Sequence, residues 1–146
     1  MPEFNYARGR IEESLQFITG EIKEFESEYA SKKFNNYQED KKLQKLMDRT
    51  VENILTALIE ICGTILVQEG VDVENYGEAL AKCCKLLGLS EEEQINLSKL
   101  AIQRNRLAHR YLNFRWQAIQ AYINNKDVVL KIVDLILKRE KNKSNK

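Results

Sequence analysis

The nine residues 103–111, QRNRLAHRY, hold the only histidine of the chain, His109, together with three arginines, Arg104, Arg106 and Arg110. An imidazole, whose ordinary pKa is near ~6.5, takes up or releases a proton at neutral pH without a metal. A guanidinium stays charged and can neutralise charge gathering on phosphate oxygens in a transition state. Chemistry that needs those two groups, and neither a metal nor a carboxylate, includes cleavage of RNA by its own 2′-hydroxyl. A base activates the hydroxyl, a cation stabilises the phosphate, and the leaving 5′-oxygen takes a proton. Each chain owns a single histidine for two proton transfers. A two-fold dimer that joins two copies of this segment supplies a second His109 and a second Arg104. A lone histidine also serves structure, through a hydrogen bond or a surface position, and that reading stands beside the catalytic one.

The charge pattern favours a polyanion. Residues 94–126 contain no acid, yet they carry Lys99, Arg104, Arg106, Arg110, Arg115 and Lys126, so in a chain of net charge +1 the remainder taken together is acidic. A region of this kind attracts RNA by its field and by direct phosphate contacts. Arg106, Arg110 and Arg115 are the expected phosphate contacts; a solvated helix face is the plainer alternative. Trp116 and Tyr122 can stack bases, but their spacing separates them around a helix and core packing suits them better.

With 146 residues, 43% apolar and 31% charged, the chain is expected to form one domain over 1–140 with a disordered basic tail over 141–146. Cys83 and Cys84 are neighbours and Cys62 lies in an apolar segment, which gives no disulfide framework. One histidine and no spaced cysteine pairs leave metal sites to scattered carboxylates, so neither metal nor cofactor is expected. No run of about 20 apolar residues and no secretory signal are read from the sequence, and the expected location is the cytoplasm, without membrane attachment.

These residues must be positioned by helices, because the only proline is Pro2 and the periodicity is helical throughout. Ile11, Leu15, Ile18, Ile22, Phe25 and Tyr29 form one stripe on a helix expected over 7–33. A second helix over 40–69 has an apolar face too wide for one contact and should be central, with room for a second subunit. A loop follows Gly70, a short helix ends at Gly88, and Ser90 with Glu93 forms a capping box that starts a helix over 91–111. A shorter helix around RWQAIQAYI follows, and after the break at Asn124 and Asn125, Asp127 caps a last helix.

Projected at ~100° per residue, the helix over 91–111 sets Leu97, Ala101, Arg104, Ala108 and Tyr111 in one narrow sector. Arg104 therefore falls inside an apolar stripe. Burial of an unpaired guanidinium costs several kcal/mol. The position calls either for a carboxylate partner such as Glu52 or Glu60, or for access to solvent or a ligand. Asn105 lies one turn before His109 and is placed to orient the imidazole. Tyr111, on the same stripe as Arg104, reads as an ordinary core aromatic.

Arg104, four intervening residues, His109, one residue and Tyr111, with Asn105 directly after the arginine, resemble the signature of HepT-type HEPN ribonucleases. These are toxins of prokaryotic two-gene toxin–antitoxin modules of the type VII kind. The similarity extends over the helical order, the size and the segment AIQAYINNKDVVLKIVDLILKR. It implies an all-α, antiparallel HEPN bundle with two long N-terminal helices, a short helix, the motif helix and a C-terminal helical segment. It further implies a homodimer with a metal-independent endoribonuclease site at the subunit cleft, Arg104 and His109 being catalytic and Asn105 supporting them. The implied partner is a minimal nucleotidyltransferase antitoxin that transfers AMP to Tyr111; the added bulk and negative charge oppose RNA binding. A non-catalytic helical adaptor for a nucleotidyltransferase is the rival reading. A DNA-binding helix-turn-helix protein fits less well, since an arginine inside an apolar stripe cannot reach a groove.

Overall fold

The computed structural model describes residues 11–144, and every regular element within them is helical. In chain order these are α1 (Ile11–Glu24), continued by a π-helical turn (Phe25–Tyr29), α2 (Phe34–Glu39), α3 (Lys41–Gln68) and α4 (Tyr76–Leu86). Then come α5 (Glu91–Ser98), α6 (Leu100–Arg106), α7 (Leu112–Asn124) and α8 (Lys126–Ser144). The all-α expectation holds.

α3 is the centre because its sequence allows nothing else. Met47, Val51, Ile54, Leu55, Leu58, Ile61, Cys62, Ile65 and Leu66 are all buried, and they occupy more than one side of the helix. Each such side chain contributes about 1.5–3 kcal/mol when removed from water, so α1, α4, α6 and α7 pack around it. By length and composition alone α3 could cross a bilayer, a property the sequence reading missed; 72% of that apolar window is buried against protein. Asp40 starts α3 by accepting from the backbone N–H groups of Lys42 and Leu43. Gly70, at φ +70°, ends it in a left-handed turn that side chains other than Asn rarely adopt.

The stripe on α1 is buried as expected, from Ile11 to Tyr29. The helix is shorter than the sequence reading. Its expected start at Ala7 lies outside the described residues, and the α-helical pattern gives way at Phe25, where the Ala30 N–H reaches the Phe25 carbonyl (2.8 Å), a five-residue step. That step lets Phe25 meet the buried Tyr122 ring edge-on at 5.1 Å. The short α2 was not expected. It is held through Gln44, whose side-chain amide donates to the Tyr37 and Gln38 carbonyls.

Two polar links set the helices that carry the site. At the start of α5, Ser90 and Glu93 form the reciprocal capping box, and Glu93 also receives Lys131 of α8 at 2.8 Å. Deeper in, the Arg115 guanidinium of α7 donates to Asp48 of α3 (2.8 Å), and the Tyr37 hydroxyl of α2 donates to the other Asp48 oxygen (2.6 Å). Trp116 packs beside them against Phe34 and Tyr37. Trp116 and Tyr122 are therefore packing residues. Burial pushes the Asp48 carboxyl up, against the pull of the Tyr37 hydroxyl and the Arg115 guanidinium, and pushes the Tyr37 hydroxyl up as well. Desolvation thus outweighs attraction in this cluster, which fixes where α7 sits more than it adds to stability.

α8 runs helically to Ser144, through the stretch expected to be a disordered tail from residue 141. Arg139 ties it to Glu69 at the end of α3. Asp127, expected as a cap, lies within its first turn, where a carboxylate still complements the helix dipole.

Asp48→Asn leaves the Arg115 charge without its counter-ion and is expected to cost about 3 kcal/mol in urea unfolding. The apolar triple variant Tyr37→Phe/Asp48→Leu/Arg115→Met should recover most of that loss. Glu93 behaves oppositely with pH. The hydrogen bond from Lys131, and then those from Ser90, hold its carboxyl below the usual range, so its contribution is present at neutral pH and disappears as pH falls through that lowered value. Glu93→Gln should lower the unfolding midpoint at neutral pH, with the difference from the wild type vanishing in acid.

Candidate active site

The segment that carries the motif is not one helix. α5 and α6 are separated at Lys99, and α6 ends at Arg106. Beyond it the backbone tightens: the Ala108 N–H donates to the Asn105 carbonyl and the His109 N–H to the Arg106 carbonyl, each a three-residue step. Leu107 anchors this turn in the core, and Tyr111, extended at φ −79° and ψ 124°, leads into α7. Residues 108–111 therefore leave the helical projection. The sequence reading of one helix over 91–111 fails because buried Leu100 and Leu107 pull successive pieces onto α3 and α7.

The break moves Tyr111 out of the core. Its ring is 53% exposed, so it is no ordinary core aromatic. The Tyr111 hydroxyl accepts from Arg110, whose guanidinium also lies over the ring, 5.2 Å from its centroid. His109 is exposed and sits between two aromatic neighbours, 5.0 Å from the Tyr111 ring and 4.7 Å from Phe114, which it meets edge-to-face. The Tyr111 backbone N–H donates to His109 Nδ1 (3.2 Å). In the neutral ring this leaves the proton on Nε2, pointing that nitrogen outward as a donor. Asn105 is exposed and makes no hydrogen bond to His109; the imidazole is oriented by the backbone of Tyr111.

Arg104 is half-buried and pairs with neither Glu52 nor Glu60; Glu52 is taken by Arg49. Its guanidinium instead lies 5.4 Å from the centre of the Tyr76 ring at the start of α4. A cation over an aromatic face keeps its charge available, whereas a carboxylate would consume it. Tyr76 is brought there by a close approach: a Cβ on Gly77 would lie 3.3 Å from the Ser98 carbonyl oxygen, so glycine lets α4 begin directly against the end of α5. Tyr76, Gly77, Ser98, Lys99, Ala101, Ile102 and Asn105 line an open groove of about 410 Å³. Arg104 and His109 thus have different aromatic neighbours, Tyr76 for the one and Tyr111 and Phe114 for the other.

Tertiary structure also redraws the basic region. Arg115, expected at a phosphate, is given to Asp48, and Lys126 to Glu26 at 2.8 Å. Among the described residues Lys99, Arg104, Arg106 and Arg110 pair with no carboxylate, and Arg106 is met only by the Gln117 side-chain oxygen at 3.4 Å. The positive charge left without a carboxylate is therefore gathered from Lys99, just before α6, through α6 to the turn after it. Sequence reasoning missed Tyr76 and Phe114. Tyr76 gave no signal, being joined to Arg104 only through space; Phe114 stands three residues after Tyr111 on the first turn of α7, a spacing that places side chains together.

The family model described as Ribonuclease HepT-like matches residues 18–134, a span that takes in α3 to α7 whole together with the motif. No curated protein matches the chain. With most of its length covered by that model and an all-helical fold presenting an unneutralised arginine and an exposed histidine, the chain belongs to the HepT-like ribonuclease family.

Proposed function

We propose that the protein is a metal-independent endoribonuclease, the toxin of a toxin–antitoxin pair, acting in the cytoplasm on RNA through attack by the 2′-hydroxyl. The observation that carries this reading is the set of four cations from Lys99 through α6 to Arg110 that pair with no carboxylate among the described residues, with the only histidine among them. Such a surface attracts and holds a phosphodiester without a metal. Arg104 neutralises charge on the phosphate oxygens. Arg106 and Arg110 hold flanking phosphates, and Asn105 supports the site from the exposed face of α6.

The roles of His109 follow from its hydrogen bond. With Nδ1 occupied by the Tyr111 N–H, the neutral ring carries its proton on Nε2; once that bond is released and Nδ1 is protonated as well, the imidazolium can give its Nε2 proton to the leaving 5′-oxygen. As the base that takes the 2′-hydroxyl proton, His109 must first release that bond. At 3.2 Å and in solvent it is worth about 1 kcal/mol, little against the energy of binding RNA. Two copies in a homodimer let one imidazole accept while the other donates, and bring the Arg104 of one chain toward the His109 of the other. Tyr111, exposed and carrying its hydroxyl beside Arg110, suits modification by a nucleotidyltransferase antitoxin. An AMP there places a phosphate on Arg110 and blocks the histidine.

A helical adaptor that docks a nucleotidyltransferase without cutting RNA is the second reading. It draws on the different aromatic neighbours that Arg104 and His109 have within a single chain.

Purified protein should cut single-stranded RNA in EDTA and leave 2′,3′-cyclic phosphate ends, and should fail on the 2′-deoxy equivalent. His109→Ala and Arg104→Ala should each slow single-turnover cleavage by about a hundredfold or more. Wild-type protein that binds a nucleotidyltransferase stably and cuts no RNA would establish the adaptor instead. Co-expression with the antitoxin should raise the intact mass by whole AMP units, abolished in Tyr111→Phe; an unchanged mass would remove the modification.

A further inference from the structure

The four cations explain how a phosphate chain is held, but not the aromatic rings that surround His109. Tyr111 and Phe114 stay 53% and 40% exposed, their centroids 6.2 Å apart, with the imidazole in contact with both. Exposed aromatic rings that adjoin one another form a contiguous patch, the kind of surface that marks an interaction site. Arg110 lies over Tyr111 and leaves Phe114 without a cation of its own among the described residues. The surroundings limit what that cover can be. No acid occurs in residues 94–126, the stretch that carries the rings, and the flanking Arg110 is positive, a local setting matched to a polyanion.

We infer that Phe114 is the base-stacking residue of the site, taking an unpaired nucleobase of the RNA next to the scissile phosphate. The inference rests on the ribonuclease reading above and names what it lacks, a contact to the base. Duplex RNA keeps its base faces hidden, whereas a single strand can splay a base onto an aromatic ring. A base and the 2′-hydroxyl of its own nucleoside are joined through one sugar, so stacking on Phe114 brings that hydroxyl toward the imidazole 4.7 Å from the ring. Phe114 is fixed for this by its place on the first turn of α7, the helix that Arg115 pins to Asp48 only one residue later. Every base has a π-face, so the contact selects single strands over duplexes rather than one sequence.

The test measures binding of a non-cleavable 2′-O-methyl single-stranded RNA oligonucleotide, with the oligomeric state followed by sedimentation. Phe114→Ala is expected to weaken binding about tenfold, Phe114→Leu nearly as much despite its apolar bulk, and Phe114→Trp to bind as well as the wild type. An abasic position walked along the oligonucleotide should reproduce the loss at one site in the wild type and add nothing in Phe114→Ala. His109→Ala should keep this Phe114-dependent binding while losing cleavage of ordinary RNA. If cleavage survives His109→Ala but the stacking pattern holds, the catalytic reading fails and the base contact stands. Binding by Phe114→Leu equal to wild type overturns the stacking contact. So does a loss in Phe114→Ala that comes with a change of oligomeric state, which assigns the ring to a protein interface.

Discussion

α3 constrains everything else in the molecule. Its apolar side chains occupy too much of its circumference to be covered by one neighbour, so helices must gather around it on several sides. Once they do, the residues left for chemistry are those at the rim, on α6, its terminal turn and the start of α7. Leu100 and Leu107 reach back to the core and determine where α6 begins and ends. The unwinding after Arg106, which exposes His109 and Tyr111, is the consequence of two buried leucines competing with the continuation of a helix.

Electrostatics sort the arginines by what lies opposite them. Arg115 faces Asp48 in a nearly dry setting, where an unpaired charge is prohibitive, and it becomes part of the frame. Arg104, equally placed to be buried, faces the ring of Tyr76, which shields it without cancelling its charge. Arg106 and Arg110 lie toward solvent with neutral partners. The same residue type therefore serves as strut, as poised cation and as surface charge within a dozen positions. The difference is made by carboxylates on other helices.

The different surroundings of Arg104 and His109 bear on the proposed dimer. Within one chain Arg104 lies over the Tyr76 ring, and His109 packs against Tyr111 and Phe114. Each chain has one histidine for two proton transfers, and a two-fold dimer of the proposed kind would bring a second His109 and a second Arg104 to one phosphate.

Much of this was legible in the sequence. The α1 stripe, the central position of α3, the capping box at Ser90 and Glu93 and the stop at Gly88 all rest on residues three or four apart, a spacing that local backbone geometry converts directly into a face or a cap. The residues resembling the family motif were equally plain, because that pattern too is local. The sequence did not show the π-helical turn at Phe25, the short α2, the break at Lys99, the release of Tyr111 to solvent, or the loss of Arg115 to Asp48. Periodicity determined which residues share a helical face; packing alone decided where each helix stops and which charges meet, because Asp48 and Arg115, 67 positions apart, are joined only through space.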